Sequence, residues 1–215
     1  MTSMLTVKHG IAIVLLALLP VLVSSSCPSL SDRFITIGTG LVHTYKAVSF
    51  QIGGVYVRAD NYAQTQHTIR LPGTTANRIH VIETSGYAAN IPNGVVAGHI
   101  VVLYEDGTSE KLDLIVGENT AEWAYDRKEL QCCIRHARVS PAYSWWTDMD
   151  SDDDYWGHSY YVSIDLEPKR LDSLQLILEA GSYSDQPTCP PPPCPQTDPE
   201  RYSILISAIT LETGD

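Results

Sequence analysis

One stretch decides the fold class: His99-Ile-Val-Val-Leu-Tyr104, then Glu105-Asp-Gly-Thr108, then Ser109-Glu-Lys-Leu-Asp-Leu-Ile115. Two apolar runs flank an Asp-Gly pair, and Gly107 can adopt the positive φ that a tight hairpin turn requires. The second run alternates leucine with charged residues, which is typical of a strand with one buried face. The stretch therefore predicts an antiparallel hairpin in a half-buried sheet.

Short apolar runs of the same kind recur along the chain, at spacings typical of an all-β sandwich. We predict strands over Phe34–Ile37, Val48–Ile52, Val55–Ala59, Gln66–Leu71, Arg78–Glu83, Gly98–Tyr104, Ser109–Leu114, Tyr160–Asp165, Ser173–Glu179 and Tyr202–Thr210. Helical periodicity is weak, and Glu118–Leu130 is its best example. The sequence predicts one antiparallel β-sandwich domain over residues 27–215, with a proline-rich insertion at 187–199.

Residues 1–26 have the pattern of a cleaved signal peptide: an apolar run over 11–23 is followed by Ser24-Ser-Ser26. The run is shorter than the roughly 20 residues of a membrane-spanning helix. An uncleaved N-terminal anchor and a lipid on Cys27 are the two alternatives. All three readings predict a secreted or cell-envelope protein that meets a membrane only through this segment or a lipid.

The charge balance argues against anionic partners. The chain has 14 Lys and Arg against 25 Asp and Glu, for a net charge of −11. Nucleic-acid phosphates and anionic lipid headgroups both need a basic surface, so we expect neither as a partner.

Four cysteines favour disulfides in an oxidising compartment: Cys132, Cys133, Cys189 and Cys194. In polyproline II geometry, the prolines would hold Cys189 and Cys194 about 15 Å apart. A disulfide needs Cα atoms within about 7 Å. We therefore expect Cys132 and Cys133 each to bond one of the two distant cysteines, with free thiols as the alternative.

A family resemblance rests on several segments in order along the chain. They are Ala47–Ile52, Leu71-Pro72, Arg78–Thr84, Gly98–Gly107, Leu112–Leu114, Gly117-Glu-Asn119 with Trp123, and Ile206–Leu211. Together they resemble the galactose-binding-like jelly-roll, a carbohydrate-binding-module type of β-sandwich that accompanies many secreted proteins. The resemblance implies a non-catalytic role, often carbohydrate binding, sometimes with a structural calcium ion. The Cys189–Cys194 insertion and an acidic run at 148–154 depart from the family pattern.

That acidic run is bordered by aromatic residues. Asp148, Asp150 and Asp152 alternate as calcium ligands can, although the spacing is not that of an EF-hand, and a solvated loop is the alternative. The bordering residues Trp145, Trp146, Tyr155 and Trp156 could stack on a sugar ring, and packing inside the sandwich is the alternative. Trp123 is predicted to lie in the core.

No linear motif marks a catalytic centre: the sequence has no GxSxG, HExxH or phosphate-binding glycine loop. We therefore expect a non-catalytic domain that binds carbohydrate or another cell-surface polymer. A structural or adhesive envelope lipoprotein is the alternative, and a polysaccharide-active enzyme is less favoured.

Overall fold

Twelve β-strands account for most of the residues that the computed structural model describes, which are 33–38, 40–53, 57–60, 65–147, 154–179 and 202–214. In chain order the strands are β1 (Phe34–Ile37), β2 (Leu41–Tyr45), β3 (Val48–Ile52), β4 (Val57–Asp60), β5 (Gln66–Arg70), β6 (Arg78–Gly86), β7 (Val96–Tyr104), β8 (Ser109–Ile115), β9 (Tyr143–Thr147), β10 (Tyr155–Asp165), β11 (Leu171–Leu178) and β12 (Ser203–Glu212). The predicted leader at 1–26 and the proline-rich insertion at 187–199 lie outside the described residues.

The strands form two principal antiparallel sheets. The first has the order β1-β12-β6-β10-β9, with β4 also paired to β12, and the second has the order β5-β11-β7-β8. From β4 to β12 the chain passes repeatedly between the sheets, and β2 and β3 form a separate hairpin. The prediction of an all-β fold is confirmed, and the antiparallel sheets fit a β-sandwich.

The hairpin that decided the fold class is confirmed as β7–β8. Gly107 has φ +82°, and its amide donates to the carbonyl of Tyr104 at 3.0 Å. The Asp106 carboxylate accepts from both the amide and the hydroxyl of Thr108, at 2.9 and 2.6 Å. The Asp-Gly pair thus closes the turn in the way that its residue types predict.

The main core fills the space between the two sheets. Val81 and Val162 come from the first sheet, Ile100 and Leu174 from the second, and all are buried. Gly98 on β7 is also buried. Because apolar residues alternate along these strands, the same pattern that predicted them also places their side chains on the inner face.

The β2–β3 hairpin covers part of the opposite, outer face of the first sheet. Phe50 is fully buried in a second apolar cluster that contains Ile82 of β6 and Ala208 of β12. The hairpin turns through Lys46 and Ala47, whose φ angles are +48° and +63°. One end of this outer face is therefore closed by the hairpin, and the rest is left to line a cavity.

The segment Glu118–Leu130, the best helix candidate in the sequence, does not form an α-helix. Gly117 turns with φ +80°, and the Asn119 side chain accepts from the amide of Ile115 at 2.7 Å, which satisfies the backbone without a helix. Only Lys128–Leu130 forms a single 3-10 turn. Among the described residues, no helix is long and apolar enough to cross a membrane.

Candidate functional site

A cavity of about 440 Å³ lies on the outer face of the first sheet, beside the β2–β3 hairpin. Its volume is within the range of small-molecule sites. Twelve residues line it: Ile52, Gly53, Thr84, Gly86, Tyr87, Trp123, Tyr143, Trp145, Ser159, Ser203, Leu205 and Ser207. They come from β3, β6, β9, β10, β12 and three connecting segments, so the cavity exists only in the folded chain.

Three nearly parallel aromatic rings line the cavity. The ring centroids of Tyr143 and Trp145 are 6.0 Å apart with planes 22° apart, and those of Trp145 and Trp123 are 6.1 Å apart with planes 4° apart. Tyr143 and Trp145 lie two positions apart on β9, which places both side chains on the same face. All three residues line the cavity, so its wall includes aromatic surface of the kind that packs against the C–H face of a sugar ring.

Trp123 is held by its backbone between two strands. Its amide donates to the carbonyl of Ser85 on β6 at 2.8 Å, and its carbonyl accepts from the amide of His158 on β10 at 2.9 Å. The ring is half-buried and contacts Tyr155, with centroids 5.6 Å apart. Trp123 was predicted to lie in the core, and its ring does pack against an apolar cluster. The same ring also lines the cavity, so Trp123 is not solely a core residue.

The buried carboxylate of Glu122 fixes the segment that carries Tyr87. It accepts from the amide of Ala88 at 2.6 Å and from that of Ala124 at 3.4 Å. Burial raises the pKa of Glu122 to about 7, although these amides act in the opposite direction. The carboxylate therefore ties the Tyr87 segment to the segment that carries Trp123.

Tyr87 has an unusual backbone conformation at the edge of the cavity. Its φ is +59°, in the left-handed region that costs a non-glycine residue energy, and its side chain is exposed. Such strain persists only where the surrounding structure imposes it, and it is concentrated at functional sites. The left-handed backbone at Tyr87 thus coincides with an exposed aromatic ring at the edge of the cavity.

Glycine makes room for the Trp145 ring. A Cβ at Gly157, which lies directly opposite Trp145 on β10, would be 2.5–2.8 Å from the indole atoms. The indole therefore lies flat across the backbone of its neighbour strand. Any larger residue at this position would push the ring out of the aromatic row.

Hydroxyl groups lie beside the rings. Thr84 donates to the carbonyl of His158 at 2.8 Å, and Ser207 donates to that of Ile82 at 3.2 Å. Within the described ranges, the hydroxyls of Ser159 and Ser203 have no hydrogen-bond partner. These two remain available to donate to a ligand or accept from it.

No acidic or basic side chain is among the described residues that line the cavity. Its polar groups are hydroxyls and backbone atoms, and its apolar groups are mainly aromatic. An anionic or cationic ligand would find no counter-ion here. The arrangement suits a neutral molecule that has both hydroxyl groups and an apolar face.

The structure divides the four aromatic residues predicted as a ligand platform. Trp145 lines the cavity, while Tyr155 is buried on the same side against Trp123. Trp146 and Trp156 pair across β9 and β10 on the opposite face, where they are 51% and 48% exposed. The four aromatic residues therefore do not form one ligand-binding surface but lie on two opposite faces of the β9–β10 pair.

The predicted calcium ligands Asp148, Asp150 and Asp152 lie outside the described residues, as do Cys27, Cys189 and Cys194. In the part of the chain that is described, no group of three potential metal ligands comes together. The sulfur atoms of Cys132 and Cys133 are 3.7 Å apart, much longer than an S–S bond, so these two are not bonded to each other. Their pairing with the distant cysteines stays a prediction.

The sequence prediction included neither Tyr143 nor Tyr87, and it included none of the hydroxyl groups that line the cavity. Tyr143-x-Trp145 is a strand alternation that was available in the sequence. The conformation of Tyr87 and the position of Trp123 depend on contacts between distant segments and have no local signal. Comparison of the chain with protein-family models and with curated protein sequences finds no match.

Proposed function

We propose that this chain is a secreted or surface-attached domain that binds a neutral carbohydrate in the cavity on the outer face of its first sheet. The observation that carries the proposal is the row of Tyr143, Trp145 and Trp123 beside the hydroxyls of Ser159 and Ser203. The rings take the apolar face of a pyranose, and the hydroxyls exchange hydrogen bonds with its hydroxyl groups. Binding in this cavity needs no catalysis.

We further propose that the sandwich is a jelly-roll of the galactose-binding-like type. The strand orders β4-β12-β6-β10 and β5-β11-β7-β8 support this, because a jelly-roll is built from eight strands in two sheets that the chain visits in such an interleaved order. The location outside the cytoplasm rests on the leader pattern at 1–26 and the cysteine content.

Replacement of Trp145 by alanine tests the proposed site. A glycan array probed with the purified chain identifies a ligand, and titration calorimetry with that soluble oligosaccharide measures affinity. Since one stacking contact contributes about 1 kcal/mol, we expect Trp145→Ala to weaken binding by about fivefold. Trp156→Ala is the control, because it removes a more exposed indole from the opposite face and should leave affinity unchanged.

Three outcomes contradict the proposal. The array gives no binding to neutral glycans, Trp156→Ala weakens binding as much as Trp145→Ala, or the affinity for the selected oligosaccharide depends steeply on salt. The last result would mean that charged groups outside the cavity hold the ligand.

A further inference from the structure

A hydrogen-bonded serine, histidine and carboxylate lie on the other face of the β9–β10 pair. The Ser144 hydroxyl is 2.8 Å from Nδ1 of His158, and Nε2 of His158 is 2.8 Å from the Asp126 carboxylate. His158 is 4% exposed, whereas Ser144 is partly accessible. This face turns away from the aromatic cavity, and none of the three residues lines that cavity.

The partners of His158 fix where its proton lies. Asp126 is ion-paired with Arg138 at 2.8 Å, and the hydrogen bonds from His158 and Arg138 outweigh burial and lower the pKa of Asp126. An ionised carboxylate only accepts, so Nε2 of His158 carries the hydrogen and donates to it. In the neutral imidazole Nδ1 is then an acceptor, and the Ser144 hydroxyl donates to it.

Two other histidines with a pair of side-chain partners show what is distinctive about His158. His99 contacts two carboxylates, Asp113 and Glu179, and has no alcohol beside it. His80 contacts Tyr161 and Glu212. Among the described histidines, only His158 joins an aliphatic alcohol to a carboxylate, which is the order of groups that activates a serine nucleophile.

The strand register places an apolar surface next to Ser144. Ser144 lies directly opposite His158, and the next pair on that face is Trp146 opposite Trp156. The two indoles contact edge to face with centroids 5.3 Å apart, and both are about half exposed. An acyl or aryl group resting on them would be within two residues of the serine hydroxyl.

From this geometry we propose that Ser144, His158 and Asp126 form a nucleophilic site that hydrolyses carboxylic esters with an apolar acyl or aryl group. The Ser144 oxygen forms a bond to the ester carbonyl carbon while its proton passes to Nδ1 of His158. The ester C–O bond then breaks, and the alcohol leaves with that proton. A water molecule next gives a proton to Nδ1 and attacks the acyl-serine, which releases the carboxylic acid, and Nδ1 returns the proton to Ser144.

Each residue has a defined role in this reaction. Ser144 is the nucleophile and His158 the general base, and both are catalytic residues. Asp126 is a positioning residue that holds the tautomer and stabilises the imidazolium, and Arg138 holds Asp126 in turn. The activity is independent of carbohydrate binding, since it uses the opposite face of the same strands.

The test uses the full chain and a fluorophosphonate probe, which loses fluoride on forming a covalent bond with an activated serine. We expect peptide mapping to find the label at Ser144, with hydrolysis of p-nitrophenyl acetate by the same protein. Ser144→Ala removes the nucleophile and leaves His158 with no hydroxyl to deprotonate, so turnover should fall by at least the roughly 10²-fold that a general base contributes. Ser140→Ala, which removes an exposed serine on the connecting segment, is the control and should retain the activity.

Asp126→Asn separates a catalytic network from a structural one. It preserves the shape of the side chain but reverses the preferred tautomer, so we expect labelling at Ser144 to slow by at least about tenfold in protein that still melts cooperatively. The proposal is overturned if folded wild-type protein is not labelled at Ser144, if exposed serines are labelled equally fast, or if Ser144→Ala hydrolyses the ester at the wild-type rate. In any of these cases the network only supports the β9–β10 pair.

Discussion

Glu83 is a carboxylic acid buried between the two sheets. Its side chain accepts from the Thr120 hydroxyl at 3.0 Å, and its other oxygen has no hydrogen-bond partner in the described part of the chain. Burial raises the pKa of Glu83 from 4.5 to about 8, although the bond from Thr120 acts in the opposite direction. In the folded protein Glu83 is therefore neutral at pH 7, whereas in the unfolded chain it is ionised.

This difference predicts how Glu83 contributes to stability as pH changes. Between pH 4.5 and about 8 the unfolded chain loses the proton and the folded chain keeps it, so the free energy of unfolding falls as pH rises. Glu83→Gln cannot ionise, and we expect its stability relative to wild type to improve from pH 5 to pH 8. Urea denaturation at pH 5, 6.5 and 8 measures this, with the exposed Glu118→Gln as control. Parallel curves for wild type and Glu83→Gln would contradict the expected shift.

Single residues were predictable from the sequence only where a local rule governs them. Asp106 and Gly107 form the turn that their types favour, and the burial of His80 and His99 follows from their positions in strands. Trp123 is different, because its backbone is held by Ser85 and His158, which are far away in the sequence. No local pattern contains that information.

At the level of elements, one hairpin was predicted from the sequence and the other was not. The β7–β8 hairpin has Asp-Gly at its turn and was predicted. The β2–β3 hairpin turns through Lys46 and Ala47, both with positive φ, and its first strand was missed because neither residue favours that conformation. A cation–π contact offsets part of the energetic cost of the positive φ at Lys46, since its ammonium group lies 4.8 Å from the centroid of the Tyr161 ring.

Strands β9 and the first half of β10 were missed for another reason. Aromatic and acidic residues crowd the segment from Tyr143 to Trp156, and this composition favoured a ligand-binding loop over a pair of strands. In the structure, Tyr143–Thr147 and the start of β10 are paired strands, and their side chains alternate between the two faces. Tyr143 and Trp145 occupy one face and Ser144 and Trp146 the other, so one segment serves both the cavity and the serine network.

The strained β2–β3 turn predicts a stabilising substitution. Ala47 has φ +63°, where glycine has no steric penalty, so Ala47→Gly should stabilise the protein by about 0.5–1 kcal/mol after the entropy of the more flexible unfolded chain is counted. Thermal unfolding measures the gain as an increase in Tm. The exposed Ala137 has no positive φ, and Ala137→Gly should lower Tm or leave it unchanged. If both glycines change Tm alike, strain in the turn is not the cause.

At the scale of the whole molecule, the two sheets pack closely at Gly98, which has no side chain. A Cβ at Gly98 on β7 would be 2.5 Å from Cδ1 of Ile204 on β12 and 2.6 Å from the carbonyl oxygen of Ile177. The first contact lies across the sandwich, and the second lies within the sheet of β7. Ile204 in turn is fully buried, and its neighbours Ser203 and Leu205 line the cavity on the other face.

These contacts predict that Gly98→Ala both destabilises the sandwich and disturbs the cavity. Overpacking of a filled core costs about 1–3 kcal/mol, which urea denaturation measures. Ile204→Val removes the methyl group that the new Cβ would strike, so the Gly98→Ala/Ile204→Val double variant should be more stable than the sum of the single changes implies. Recovery should be partial, because the Ile177 carbonyl remains in place. If the stability changes of the two single variants simply add in the double variant, the contact between position 98 and Ile204 is not the cause of the destabilisation. A shift of β12 away from the new Cβ would also move Ser203 and Leu205, so we expect Gly98→Ala to weaken oligosaccharide binding, and the double variant to restore part of it.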